Sequence, residues 1–209
     1  MPRQPRLDAP GALHHVMGRG IDGTKVFRSD EDRTDFVNRL AQLAQDGSLA
    51  VYAWALMPNH FHLLVRTGRR PLFRSLKRLL TGYVVNFNRR HKRHGRLFQN
   101  RYKSIICEED PYLLELTRYI HLNPVRGGLV HQLSELRRYP WTGHSAITGW
   151  WNGGGRTPPR CWRTSGSARN GPFRAMKSSY GTGSRKGAGP TWWAAASFGA
   201  RGAGRRSYR

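Results

Sequence analysis

The stretch Met57-Pro58-Asn59-His60-Phe61-His62-Leu63-Leu64-Val65 sets two histidines two residues apart, at the start of an apolar, β-prone run. In a strand, side chains at i and i+2 point to the same face. His60 and His62 therefore project side by side, and Phe61 and Leu63 point the other way. Each neutral imidazole offers one nitrogen lone pair, so the pair makes half of a divalent-metal site. A third ligand has to come from elsewhere in the chain. The same spacing also occurs as a plain polar strand face, and the motif alone does not choose between the two.

The surrounding sequence gives this strand a setting. Leu49 to Met57 reads as a preceding strand, Pro58-Asn59 as a turn, and Phe61 to Arg66 as the returning strand of a hairpin. Upstream, Leu13 to Arg19 reads as a first strand. It is followed by a helix capped at Ser29 or Asp30 and running to about Gln45, with Phe36, Val37, Leu40, Leu43 and Ala44 at helical spacing. Downstream, Leu72 to about Arg90 is a basic helix with Leu76, Leu79, Leu80, Tyr83, Val84 and Phe87 on its apolar side. A fourth strand follows at Tyr102 to Cys107. Asp110 and Pro111 then start a last helix as N-cap and first residue, and Pro124 ends it. The order β-α-β-β-α-β-α contains the ferredoxin-like split βαβ arrangement. The expected fold class is therefore α+β, an antiparallel sheet with helices on one face.

The chain has 209 residues and a net charge of +24. Charge of this size says little about fold and much about partners: it points to a polyanion, most simply nucleic acid. A membrane surface would be the competing polyanion, but no apolar run approaches the roughly 20 residues of a spanning helix, so no membrane partner is expected. No apolar segment follows the basic Met1–Arg6, and only Cys107 and Cys161 are present. Both facts suit a reducing, cytoplasmic setting.

Tyr119 and Asn123 are four apart on the last helix and so share a face. A tyrosine beside a bound cation can act as an oxygen nucleophile, and an asparagine one turn on can present its carbonyl oxygen to the same ion. In this reading His60, His62 and Asn123 hold the ion and Tyr119 attacks a phosphodiester. A packed amphipathic tyrosine and an ordinary Asn-Pro helix stop explain the same two residues without chemistry. For DNA, the basic helix and loop supply Arg74, Lys77, Arg78, Arg89, Arg90, Lys92, Arg93 and Arg96, and the next strand supplies Arg101 and Lys103. Phe98 and Tyr102 are candidates to stack on unpaired bases. The assignment is to the patch, since any single arginine is equally a solvated surface residue.

Three blocks now combine: Met-Pro-Asn-His-Phe-His-Leu-Leu at 57–64, Gly-Arg-Leu-Phe-Gln-Asn-Arg-Tyr-Lys-Ser at 95–104, and Arg-Tyr-Ile-His-Leu-Asn-Pro-Val-Arg-Gly-Gly-Leu-Val at 118–130. In this order they resemble the signature blocks of the IS200-like Y1 transposases, in particular the REP-associated tyrosine transposase branch. The resemblance covers about residues 3–150. It implies an HUH endonuclease fold and a metal-dependent single-stranded DNA endonuclease and strand transferase acting in DNA transposition. It carries the metal pair onto His60 and His62, the third ligand onto Asn123 and the nucleophile onto Tyr119. Implied with these are Mg²⁺ or Mn²⁺, a 5′-phosphotyrosine intermediate, and single-stranded or hairpin DNA as partner. Both dimers and monomers are compatible with the resemblance, so a homodimer is one possibility.

Two rivals stand beside this reading. One is a domesticated or decayed relative that binds hairpin DNA without cutting it. The other is an RNA-binding module of the same topology, which would display Tyr52 and Trp54 on an open sheet face. The composition breaks near residue 150. Residues 151–209 hold 12 Lys+Arg, no acid, 12 Gly and 4 of the 7 Trp. The expected division is a transposase domain at 1–150 and a Gly/Arg/Trp-rich tail at 151–209. The tail reads either as a disordered basic segment or as the product of a frameshift in GC-rich DNA. Its tryptophans favour the second, because disordered segments are poor in aromatics.

Overall fold

The computed structural model describes residues 8–107 and 113–148. The tail at 151–209, with the division drawn at its start, lies outside the described residues, as do Asp110 and Pro111. Four strands form one sheet: β1 (Leu13–Arg19), β2 (Leu49–Met57), β3 (His60–Thr67) and β4 (Lys103–Cys107). Their order across the sheet is β2-β3-β1-β4, and every neighbouring pair is antiparallel. This is the split βαβ arrangement: β3 lies between β1 and β2, and β1 lies between β3 and β4.

The strands alternate between two cores. Val16, Trp54, Leu56, Phe61, Leu63 and Val65 face α1 (Asp30–Gln45) and α2 (Leu72–Arg90). Leu13, Ala53, Ala55 and Leu64 face Leu116 and Ile120 of α3 (Leu113–His121). The first two helices thus cover one face, as expected, and the third covers part of the other. The close packing of β1 on β3 depends on Gly18, which sits opposite Phe61. A Cβ there would lie 2.5 Å from the edge of the Phe61 ring.

The hairpin turn is held from outside. Gly20 N donates to Asn59 O at 2.9 Å, and Val26 N and Phe27 N donate to Pro58 O at 2.8 and 3.0 Å. The loop after β1 therefore clamps the start of β3, where the two histidines sit.

The chain after α3 departs from expectation. Pro124 does not end helical structure: a further turn, α4 (Asn123–Arg126), begins there with the proline in its first two positions. Proline is tolerated at that point because the first N–H groups of a helix have no intrahelical acceptor. Two short helices follow, α5 (Leu133–Arg138) and α6 (Gly143–Ile147).

One buried carboxylate joins α1 to α2. Ser29 and Asp32 form a reciprocal capping box at the start of α1. Asp32, fully buried, also accepts from Arg28 N at 2.9 Å and from His91 Nε2 at 2.8 Å, and it pairs with Arg90. Burial pushes its pKa up, but hydrogen bonds from the Arg28 backbone, His91, Arg90 and the Ser29 backbone outweigh this, and the net shift is downward. Removing one partner from such a network leaves buried groups unsatisfied. Asp32→Ala should therefore lower unfolding stability by about 2–4 kcal/mol, read from urea midpoints by tryptophan fluorescence. A carboxyl with a depressed folded pKa stabilises above its unfolded pKa and loses that contribution as pH falls through the folded value. The two midpoints should be farthest apart at neutral pH and converge in acid. Equal midpoints at pH 7 would refute a stabilising role for this joint.

Candidate active site

β3 presents His60 and His62 on the sheet face that α3 covers, with ring centroids 5.2 Å apart and planes at 84°. His60 is half-buried and His62 nearly fully buried. Burial holds the pKa of His60 down at about 4, with the charge of Arg19 acting in the same direction. His62 is held well below the ordinary histidine value by burial, with His15 and His60 adding to the effect. Both rings are therefore neutral at physiological pH, the form that donates a lone pair to a metal. Asn59 Oδ1 lies 2.7 Å from His60 Nδ1. A carbonyl oxygen only accepts, so the proton of His60 sits on Nδ1 and the lone pair on Nε2.

α3 brings Tyr119 against this pair. Its ring meets His62 edge-on at 5.9 Å and His15 at 6.2 Å. The Arg126 guanidinium lies 4.9 Å above the Tyr119 ring centroid. Burial raises the pKa of the Tyr119 phenol, while Arg126 and a hydrogen bond from the Asn123 side chain oppose that rise. The phenol is thus protonated at rest, beside a cationic group that favours its anion.

Asn123 opens α4 and is buried. Its Nδ2 donates to Tyr119 O at 3.0 Å and to Ile120 O at 3.4 Å. With the amide nitrogen engaged by the backbone of α3, the amide oxygen is the donor atom this side chain can offer a cation. Among the described residues, no group of three or more His, Cys, Asp or Glu is arranged to hold a metal. Asn123 carries an amide oxygen, a donor type compatible with two imidazoles around a divalent ion. Two neutral imidazoles and an amide oxygen suit a divalent ion, and without a carboxylate they would hold it loosely.

The predicted basic residues divide by position. Arg78 pairs with Asp46 at 2.6 Å and Arg90 pairs with Asp32. Arg93 is half-buried over the Phe87 ring. Arg74, Lys77, Arg89, Lys92, Arg96, Arg101 and Lys103 are exposed. Arg74, Lys77 and Arg78 lie in the first half of α2, which starts beside Asp8 at the far end of the sheet, where the Asp8 carboxylate accepts from Leu72 N at 3.1 Å. The loop after α2 runs past the site: Gln99 N donates to Arg19 O at 2.9 Å, and Arg19 is paired with His60. Lys103 is opposite Met17, which is opposite His62, so it shares their sheet face. Phe98, expected to stack on bases, instead packs partly buried against the core beside Phe61 and Tyr83, and Tyr102, expected to do the same, is a buried member of that core. Trp54 is buried under the helices and Tyr52 is half-buried against Arg66. The open aromatic sheet face that an RNA-binding module would need is therefore missing among the described residues.

Sequence reasoning passed over two residues of this site. Arg126 is seven residues after Tyr119, on the same helical face, but it drops out of view once the helix is taken to stop at Pro124. His15 belongs to the first strand, and only the pairing of β1 with β3 reveals its position.

The family model described as "Transposase IS200 like" matches residues 12–123. No curated protein matches the sequence. Among solved structures, a REP-associated tyrosine transposase bound to a REP hairpin superposes with a TM-score of 0.57 at 14% identity, covering 71% of this chain and 86% of that one. A candidate transposase from Deinococcus radiodurans R1 gives a TM-score of 0.39 at 17% identity, over 57% of this chain and 95% of that one. The likeness to the first is one of fold. No described helix is long and apolar enough to cross a membrane. With the match running from the first strand to Asn123, this chain belongs to the IS200-like transposase family.

Proposed function

We propose that this transposase is a metal-dependent single-stranded DNA endonuclease and strand transferase with Tyr119 as its nucleophile. The observation that carries the reading is the edge-on contact of the Tyr119 ring with His62, next to His60. It sets a phenol beside the neutral imidazole of His62. In this reading His60, His62 and Asn123 would hold Mg²⁺ or Mn²⁺. When bound, the ion would polarise the scissile phosphate and offset transition-state charge.

The chain's own residues supply the rest. Asn123 ties its side chain to the backbone of α3 and thereby fixes the turn that carries Tyr119. Arg126 favours the phenolate as the proton leaves to solvent base. Tyr119 Oη attacks phosphorus, a tyrosine–phosphate bond forms on the 5′ side, and the bond to the 3′ oxygen breaks. That oxygen leaves as a hydroxyl after protonation by water. A 3′-hydroxyl of another strand reverses the step, so strands are exchanged with one phosphoester made for each one broken. The partner is single-stranded or hairpin DNA, gripped chiefly by the site-end basic residues Arg89, Lys92, Arg96, Arg101 and Lys103. The REP hairpin bound by the structural neighbour is consistent with this partner. A cytoplasmic location suits both the partner and the chemistry.

Labelled single-stranded DNA from the flanks of the gene, mixed with the protein and Mn²⁺ or Mg²⁺, should give a covalent adduct that resists denaturant. Tyr119→Phe should abolish it, and EDTA should abolish it in the wild type. Tight DNA binding without an adduct under either cation would favour a non-catalytic DNA binder. A second test concerns the grip. Removing a side chain that neutralises one phosphate should reduce the slope of log K against log salt by about 0.7–0.9. Arg96→Ala and Lys103→Ala should each show this reduction in fluorescence-anisotropy titrations of a hairpin. Lys77→Ala, at the far end of α2, should leave the slope unchanged; equal reductions at all three would refute the site-end assignment.

A further inference from the structure

One buried histidine beside the candidate metal pair has no part in the chemistry above. His15 is on β1 opposite Leu64, and His62 is opposite Met17, so the two are diagonal neighbours on one sheet face. Their rings stack at 5.3 Å with planes 25° apart. His15 Nε2 lies 3.0 Å from His62 Nδ1. The other ring nitrogen of His15 is buried with no hydrogen-bond partner among the described residues. Among the described residues, the one hydrogen bond of this ring is thus the one to His62.

A hydrogen bond between two ring nitrogens contains one proton, so this one has two possible arrangements. If His15 donates, His62 receives on Nδ1 and carries its own proton on Nε2, which then cannot bind a cation. If His62 donates from Nδ1, His15 Nε2 accepts, the proton of His15 sits on its unpartnered Nδ1, and His62 Nε2 is left as a lone pair. Asn59 settles the same question for His60, because its carbonyl oxygen can only accept. We propose that His15 is a positioning residue that accepts the Nδ1 proton of His62 and so holds its Nε2 as a metal ligand. The inference rests on the reading of His60 and His62 as ligands. Groups that orient ligating histidines in this way commonly change metal affinity by about 10–100-fold when removed.

The test is Mn²⁺ binding to the full chain, followed by electron paramagnetic resonance of the free ion, with hairpin affinity measured in parallel. His15→Leu removes the acceptor while keeping an apolar side chain, and His15→Gln places an amide oxygen near the position of Nε2. His15→Leu should bind Mn²⁺ about 10–100-fold more weakly, and His15→Gln should recover to within about threefold of wild type. Hairpin affinity without metal should be the same in all three. Wild-type affinity in His15→Leu would overturn the inference and leave the ligand assignment standing. Equal weakening in both variants, with unchanged thermal unfolding, would also overturn it by assigning the effect to ring packing. If His62→Ala binds Mn²⁺ as the wild type does, the ligand reading itself fails and takes the inference with it. A second measurement avoids mutation. Long-range ¹H–¹⁵N correlation on the Mg²⁺-loaded protein should show His62 protonated on Nδ1 and His15 bare at Nε2; a proton on His15 Nε2 would overturn the proposal.

Discussion

The candidate site depends on the antiparallel pairing of β1 with β3. That register sets Gly18 against Phe61, Met17 against His62 and Arg19 against His60. A one-residue slip would turn every side chain of a strand to the opposite face, moving the histidines into the core under α1 and α2. The register is held by packing that tolerates few alternatives. The Phe61 ring fills the space that a side chain at position 18 would need. On the same face, Val16, Leu63 and Val65 join Phe36 and Tyr83 in one core. The backbone bonds from Gly20, Val26 and Phe27 to the Pro58-Asn59 turn fix the end of the hairpin. Two strands and a loop therefore hold His60 and His62 on rigid backbone.

A sheet with both faces covered has to divide its apolar residues between them, and the site lies where that division is uneven. Under α1 and α2 the face is large and aromatic. Under α3 it is small, with alanines at 53 and 55 and leucines at 13 and 64. Histidines 15, 60 and 62 occupy the remaining positions beside this thinner core, where α3 brings Tyr119 against His15 and His62. The same burial that supports packing keeps the imidazoles uncharged. Neutral rings next to a phenol, with Arg126 above it, make a compact set of donors in which few formal charges have to be desolvated.

Positive charge is distributed on different terms. Two of the arginines that looked available for DNA are committed within the fold: Arg90 to the buried Asp32 and Arg78 to Asp46. The chain has few carboxylates to spare, with 12 acids against 36 basic residues, and Asp32 is placed where it joins two helices. The exposed basic residues around the end of α2 and the loop after it remain on the side of the sheet where β3 begins.

Much of the fold was legible in the sequence because it rests on short-range period. Alternation in β3 puts His60 and His62 on one face and Phe61 on the other, as found. Helical spacing marked the buried sides of α1 and α2, Ser29 or Asp30 marked the start of α1, where Ser29 proves to be the cap, and four-residue spacing put Tyr119 and Asn123 together. What period cannot express is which face an element packs on and which residue stands across a strand boundary. Tertiary structure alone decided that α3 covers the histidine face, that His15 lies against His62, and that Phe98 and Tyr102 belong to the core. It decided too that the chain passes Pro124 in a new helical turn, which brings Arg126 over Tyr119. The physical reason is the same in each case. Periodicity is a property of neighbours along the chain, whereas register and face are selected by contacts between residues about 50 to 100 positions apart, such as His15 with His62 and with Tyr119.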